Sequence, residues 1–305
     1  MNRELFVRSK YNPILTSENW PYSVAAVFNP AAIKHNGETH LIVRIGDRKG
    51  HSHLSVARSK NGLTDWTVSP KPALEADPRF FEGKRGLEDP RIVWVEELQQ
   101  FIIACVSFRM EYPEEPHGIS LLGTKDFLIF DRVSKPLGLN NKNACLFPER
   151  FDGRFALIHR PIVRDHAHVA VSFSLDLIHW GGGRSIFTTR TDSWDESKVG
   201  LGCPPIKTEE GWLLIYHGSF GKAEGLIYRF GLALLDLKTL ELKKRSEEWV
   251  FGPEKDYEGG PNGIVFPCGC VVDPETGKVT VYYGCDDLNI GVATSTLEDI
   301  LDYLR

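Results

Sequence analysis

Asp89-Pro90-Arg91-Ile92-Val93-Trp94-Val95, followed after a turn by Phe101-Ile102-Ile103-Ala104-Cys105 and later by Ile119-Ser120-Leu121-Leu122, reads as three consecutive strands of one sheet. The same succession recurs along the chain. Asn29-Pro30, Asp89-Pro90, Phe147-Pro148, Pro204-Pro205 and Phe266-Pro267 each open a unit, and the prolines that end these pairs step by 60, 58, 57 and 62 positions. Second strands follow at 40–44, 101–105, 155–159, 212–216 and 279–283, and third strands at 54–57, 119–122, 169–172, 230–234 and 290–293. Asn36-Gly37, Asp152-Gly153, Glu210-Gly211 and Thr276-Gly277 supply turns between first and second strands. A regular period of this length, repeated five times, predicts an all-β, five-bladed β-propeller, one domain over 1–305, whose sheet edges are removed by circular closure. A β-sandwich has no such period. The one clear helical pattern, Thr296 to Leu304 with Leu297, Ile300, Leu301 and Leu304 on one face, predicts a short C-terminal helix.

Composition narrows the function. The 305 residues are 42% hydrophobic and 25% charged, with a net charge of −5 and no long basic run. That argues against a nucleic-acid partner, which selects for a basic face. No stretch is long and apolar enough for a membrane span, and Met1-Asn2-Arg3-Glu4-Leu5-Phe6 lacks a signal-peptide core, so a cytoplasmic protein is expected. The six cysteines lie mostly within apolar runs and read as small buried hydrophobes, not a disulfide framework. His51-Ser52-His53 and His166-Ala167-His168 have strand spacing, but with no supporting ligand pattern neither is expected to bind a metal. No cofactor is implied, and the sequence leaves self-association open.

The repeat gives the chemistry a place. In a propeller the first strand of each blade lines the axis, so residues about 60 positions apart converge at one mouth. Asn29, Glu88 with Asp89, Lys142 with Asn143, Lys198 and Asn262 stand at blade starts. Arg44, His159 with Arg160, Tyr216 with His217, and Tyr283 ahead of Asp286-Asp287 end the second strands on the same side. One acid facing several cations suits inverting glycosidic cleavage. Water as nucleophile needs a second carboxylate as base, whereas inorganic phosphate needs only Arg, Lys and His donors to hold it. Lys142, Arg160 and His217 favour phosphate; Glu258, Asp286 and Asp287 keep hydrolysis open.

Gly86-Leu87-Glu88-Asp89-Pro90-Arg91, Lys142-Asn143-Ala144-Cys145-Leu146-Phe147-Pro148-Glu149, His159-Arg160-Pro161, Gly211-Trp212-Leu213-Leu214-Ile215-Tyr216-His217-Gly218 and Tyr282-Tyr283-Gly284-Cys285-Asp286-Asp287 resemble, in order, the motifs of glycoside hydrolase family 130. The resemblance runs from about Asn12 to the C-terminus. It implies a five-bladed propeller acting on β-mannosides, mostly by inverting phosphorolysis and in some branches by hydrolysis. It implies Asp89 as general acid, protonating the glycosidic oxygen through a mannosyl hydroxyl, and Lys142, Arg160 and His217 as the phosphate-binding set. Asn29, Arg44, Glu88, Arg91, Lys198 and Asp287 are expected to bind the sugar. Trp180 and Trp194 are candidates for stacking on it, although aromatics of this kind are more often core.

The expected reaction is therefore phosphorolysis of β-mannobiose or mannooligosaccharides to α-mannose 1-phosphate and a shortened acceptor, with phosphate as co-substrate. A β-mannosidase using Glu258 or Asp287 as base, and a non-catalytic sugar-binding propeller, are the alternatives. Two departures from the family pattern bear on the acceptor: Cys285-Asp286 before Asp287, and the loop Gly46-Asp47-Arg48-Lys49-Gly50-His51-Ser52-His53. The long N-terminal extension of the mannosyl-glucose phosphorylase branch is absent from the sequence, which favours mannobiose or mannooligosaccharides as substrates.

Overall fold

The computed structural model describes residues 5–109, 116–138, 140–163, 166–222 and 225–305. The opening Met1 to Glu4 therefore lies outside the described residues, as does the side chain of His166. The strands form five antiparallel blades. Blade 1 pairs Ala26–His35, Glu38–Gly46, Ser52–Ser59 and Thr67–Val68 in that order. Blade 2 pairs Glu82–Val95, Gln100–Arg109, His117–Thr124 and Asp131–Leu137, and blade 3 pairs Asn141–Phe151, Arg154–Val163, His166–Ser174 and Trp180–Thr188. Blade 4 has an inner strand in two pieces, Lys198–Leu201 and Ile206–Lys207, then Trp212–Lys222, Gly225–Leu235 and Leu242–Arg245. Blade 5 pairs Val265–Val272, Lys278–Cys285 and Asn289–Thr296.

The outer strand of blade 5 comes from the other end of the chain. Val7–Arg8 pairs antiparallel with Asn289–Thr296, Val7 opposite Thr294 and Arg8 opposite Ala293. Arg8 anchors this closure by donating to both oxygens of Glu258, from Nε at 3.0 Å and from Nη2 at 3.0 Å, and to the Gly252 carbonyl at 2.6 Å. Closure of the ring thus rests on a buried ion pair as well as on backbone pairing.

Blades stack face to face, so the middle strands are buried on both sides and read as continuous apolar runs, not as alternation. Trp212 to Tyr216 have no exposed surface at all. Apolar clusters fill the spaces between neighbouring blades; Phe147, Phe151 and Trp212, for example, meet edge to face between blades 3 and 4. Asn36-Gly37 and Asp152-Gly153 both adopt left-handed backbone, as two-residue hairpin turns require. The C-terminal helix, Leu297–Leu304, is capped by the Thr296 hydroxyl and buries Ile300 and Leu304 against blades 4 and 5.

The proline period locates the inner strands but misplaces one landmark. Pairing skips from Phe28–Arg44 to Ala31–Ile42 in blade 1, from Glu88–Val106 to Arg91–Ala104 in blade 2, and from Lys142–Arg160 to Cys145–Ile158 in blade 3. Each skip is a β-bulge with two residues facing one, and its first residue is left-handed: Asn29 (φ 47°), Asp89 (φ 50°) and Asn143 (φ 52°). The blade 3 counterpart of Asp89-Pro90 is therefore Asn143-Ala144, upstream of Phe147-Pro148, where the strand has a second irregularity. The bulge selects Asn or Asp, which tolerate left-handed backbone, and the proline after it is dispensable.

Candidate active site

The bulges aim short polar side chains at the axis, where the blades surround a cavity of about 680 Å³, a size typical of small-ligand sites. Asn29, Arg44 and Asp89 line it from blades 1 and 2; Lys142, Arg160 and Lys198 line it from blades 3 and 4. Asp287 completes the wall from the turn after the second strand of blade 5. Asp286 and Asp287 are also left-handed, at φ 51° and 53°, so the mouth concentrates non-glycine residues in a costly conformation.

On the carboxylate side, Asp89 Oδ1 accepts from Arg44 Nη1 at 3.0 Å and from Asn29 Nδ2 at 2.9 Å. Arg44 is itself fixed: its Nε donates to Ser52 Oγ at 3.0 Å, its Nη2 meets Glu88 Oε1 at 2.5 Å, and its guanidinium carbon lies 4.5 Å from the centre of the Phe28 ring. Gly86, at φ 97°, lets this assembly form, since a Cβ there would lie 1.7 Å from the Ser52 carbonyl oxygen. Burial by itself would push the Asp89 carboxyl up; Arg44, Lys142 and the Asn29 hydrogen bond outweigh it and hold the group down at about 2. Asp89 is therefore ionised in the free protein. Asp287 shifts the other way, upward, through enclosure and repulsion from Asp89, although its exposure at the mouth lets water moderate the effect.

The cationic side is crowded. Burial, then Arg160 and Lys142, lowers the affinity of Lys198 for its proton, and burial lowers that of Arg160. Crowding of this kind is relieved by an anion between the cations. Several buried polar atoms here also have no hydrogen-bond partner among the described residues: Arg160 Nε, both ring nitrogens of His217, and the amide oxygens of Asn29 and Asn143. Buried polar atoms are otherwise almost always satisfied, so their grouping marks a ligand surface.

The structure separates the expected site residues. Asn29, Arg44, Asp89, Lys142, Arg160, Lys198 and Asp287 share the cavity. Arg91 does not reach it: fully buried, it donates to the carbonyls of Gly202 (2.6 Å), Leu201 (2.8 Å) and Asp89 (2.9 Å), tying blade 2 to blade 4 across the axis. In place of the expected contact with sugar, each of its three nitrogens donates to a backbone oxygen, a structural role. Glu88 lies behind the wall, 8% exposed, and bonds protein cations. His217 is completely buried beneath the cavity, its ring 4.5 Å from that of Phe266, and burial with Arg160 and Arg91 keeps it neutral. It is thus no cation, and only a neutral N–H is available from it. Gly200 permits the close packing there, because a Cβ would lie 2.6 Å from His217 Cε1 and 2.8 Å from Asn143 Oδ1.

Glu258, weighed as a hydrolytic base, has no exposure and is consumed by Arg8, Tyr283 and two backbone amides. Trp194 stacks on Tyr216 in the core, and neither it nor Trp180 lines the cavity. Among the described residues, no group of three or more His, Cys, Asp or Glu side chains could hold a metal ion, and no helix is long and apolar enough to cross a membrane. Sequence reasoning passed over His117, Tyr228 and Phe266, which also line the cavity. His117 and Tyr228 come from third strands, whose contribution to the axis no inner-strand pattern reveals.

A family model for β-1,4-mannooligosaccharide phosphorylases matches residues 4–305. The chain belongs to glycoside hydrolase family 130. Within that family it is 35% identical to a 1,2-β-oligomannan phosphorylase of Thermoanaerobacter sp. (strain X514), over 90% of this chain and 92% of the relative. It is 28% identical to a β-1,4-mannooligosaccharide phosphorylase of Ruminococcus albus, over 99% of this chain and 92% of the relative. Its fold matches the β-1,2-mannobiose phosphorylase of Listeria innocua, solved with β-1,2-mannobiose, with a TM-score of 0.87 and 25% identity, covering 100% of this chain and 99% of that one. The chain is thus similar over nearly its whole length to family 130 phosphorylases of β-mannosides.

Proposed function

We propose that the protein cleaves β-mannobiose or β-mannooligosaccharides by inverting phosphorolysis, releasing α-mannose 1-phosphate and a sugar shortened by one residue. The observation that carries this reading is the division of the cavity: a carboxylate with its Arg44 and Asn29 partners on one side, and Lys142, Arg160 and Lys198 on the other. Phosphate seated among those three cations attacks C1 of the mannosyl residue from the face opposite the leaving oxygen. The C1–O glycosidic bond breaks, a C1–O–P bond forms, and a proton from Asp89 ends on the leaving oxygen. Lys198 joins the anion set, having been expected in the sugar subsite, and neutral His217 supplies an N–H from below.

Asp89 must be protonated to donate. Arg44 and Lys142 hold it ionised in the free protein. A bound phosphate offsets the Lys142 charge, and a sugar covering the site strengthens the burial that favours the neutral acid. Hydrolysis is the second reading: Asp287 is a cavity carboxylate with an upward shift, suited to accept a proton from water. The synthetic direction tests the assignment. α-Mannose 1-phosphate offered with mannose, glucose, N-acetylglucosamine or β-mannobiose is expected to yield phosphate and a lengthened β-mannoside, whose linkage names the acceptor chemistry. No phosphate release with any of them, or an undiminished rate in Asp89→Asn, contradicts it.

A further inference from the structure

Glu88 is next to the acid in sequence but stands behind the cavity wall, and its two oxygens point to different neighbours. Oε1 meets Arg44 Nη2 at 2.5 Å; Oε2 meets Lys142 Nζ at 3.4 Å. Arg44 in turn holds Asp89 Oδ1 at 3.0 Å. One carboxylate on blade 2 therefore joins the blade 1 cation that grips the acid to a blade 3 cation that faces the anion subsite.

We propose that Glu88 is a positioning residue that competes with phosphate for Lys142 and withholds half of the Arg44 fork from Asp89. The inference rests on the reading of Lys142, Arg160 and Lys198 as the phosphate subsite. The 3.4 Å separation between Lys142 and Glu88 is longer than a charge-assisted hydrogen bond at full strength, so the ammonium is kept within reach without being locked. An arriving phosphate takes Lys142 against the pull of Glu88, and that competition weakens phosphate binding. On the other side, Nη2 of Arg44 is engaged by Glu88 and only Nη1 reaches Asp89. Without Glu88 the guanidinium can take Asp89 with both arms, the geometry in which Arg holds carboxylates most firmly. That favours the ionised form, the wrong state for a proton donor.

Neutralising Glu88 therefore has two consequences of opposite sign for function: tighter phosphate and slower chemistry. If Glu88 instead bound the sugar directly, its replacement would raise KM for the β-mannoside. If its role were merely structural, phosphate affinity would be unchanged in the folded fraction.

The test is calorimetric titration of inorganic phosphate into the full-length protein without sugar, joined to steady-state kinetics. Glu88→Gln is expected to lower the phosphate Kd and KM by about five- to tenfold while lowering kcat at least tenfold. The gain in affinity is expected to vanish when Glu88→Gln is introduced into a Lys142→Gln background, because the two changes act on one contact. Glu88→Asp, which keeps the charge within the cluster but withdraws it from Lys142, serves if Glu88→Gln does not fold, and is expected to tighten phosphate two- to threefold. Phosphate affinity that is unchanged or weaker in the folded variants, or an equal gain with Lys142 absent, overturns the proposal. A wild-type protein that binds no phosphate and turns over without it instead removes the phosphate subsite, a result distinct from wild type that binds phosphate and variants that bind it no better.

Discussion

Replacing Arg44 with Met removes the cation that two neighbouring carboxylates share. Arg44 contacts Glu88 at 2.5 Å and Asp89 at 3.0 Å, and both carboxylates are more than nine-tenths buried. The environment holds Asp89 at about 2 against an ordinary 3.8, a difference on the order of 2 kcal/mol of folding stability at neutral pH. That contribution belongs to a depressed acid: it is present above pH 4 and disappears as pH falls from about 4 to 2. Arg44 is the largest of the groups opposing burial, so its loss moves Asp89 upward and leaves Lys142, Asn29 and Arg91 to hold the carboxylate. With Glu88 left to Lys142 alone, the variant is expected to be about 3–5 kcal/mol less stable at pH 7, in the range for a buried pair broken on one side. The variant has less of the Asp89 contribution to lose on acidification, so the penalty relative to wild type is expected to shrink between pH 7 and about pH 3. Urea denaturation of both proteins at the two pH values measures this directly. A penalty below about 1 kcal/mol at pH 7, or one that grows on acidification, refutes the electrostatic account of the site.

Other expectations follow from particular contacts. Arg160→Ala removes a buried guanidinium from the cationic wall and is expected to raise KM for phosphate about 10- to 100-fold, the equivalent of one charge-assisted hydrogen bond, in initial-rate measurements with the β-mannoside saturating. Gly200→Ala places a methyl against His217 and Asn143 beneath the cavity, and is expected to cut kcat/KM for phosphate while circular dichroism stays that of wild type. His159, bonded to Asn141 and to Ser172 Oγ at 2.9 Å, is lowered to about 4 chiefly by burial, so the unfolded chain protonates first. The stability due to His159 is whole above pH 6.5 and lost as pH falls towards 4, costing about 2 kcal/mol by pH 5; His159→Gln is expected to remove that part of the acid sensitivity in denaturant titrations.

The architecture was legible because a propeller repeats itself. The strand runs recur whatever the side chains at the axis do, and the terminal helix follows from Leu297, Ile300, Leu301 and Leu304 sharing a face. The bulge was less legible. Its signal is a left-handed Asn or Asp, with or without the proline that follows, and blade 3 uses Asn143-Ala144. Ring closure by Val7–Arg8 could not be read at all, since two residues carry no period and the pairing depends on Arg8 finding Glu258 across the whole length of the chain. The same long-range pairing withdraws Glu258 from the site. Arg91, placed with the sugar by the resemblance, lies just past the bulge and turns into the carbonyls of blade 4. At His217 the sequence shows only an ionisable ring; its burial, which lowers its affinity for a second proton, depends on packing that no motif displays.

Phosphate dependence is the most direct test of the central claim. Purified protein incubated with β-mannobiose or a β-mannooligosaccharide, with and without inorganic phosphate, is followed by proton and phosphorus NMR from the first minutes of reaction. Turnover only with phosphate, with α-mannose 1-phosphate as the first product, is the expected result. Release of free mannose in the absence of phosphate, or a β-configured sugar phosphate, contradicts a site in which Asp89 donates the proton and Lys142, Arg160 and Lys198 hold the nucleophile.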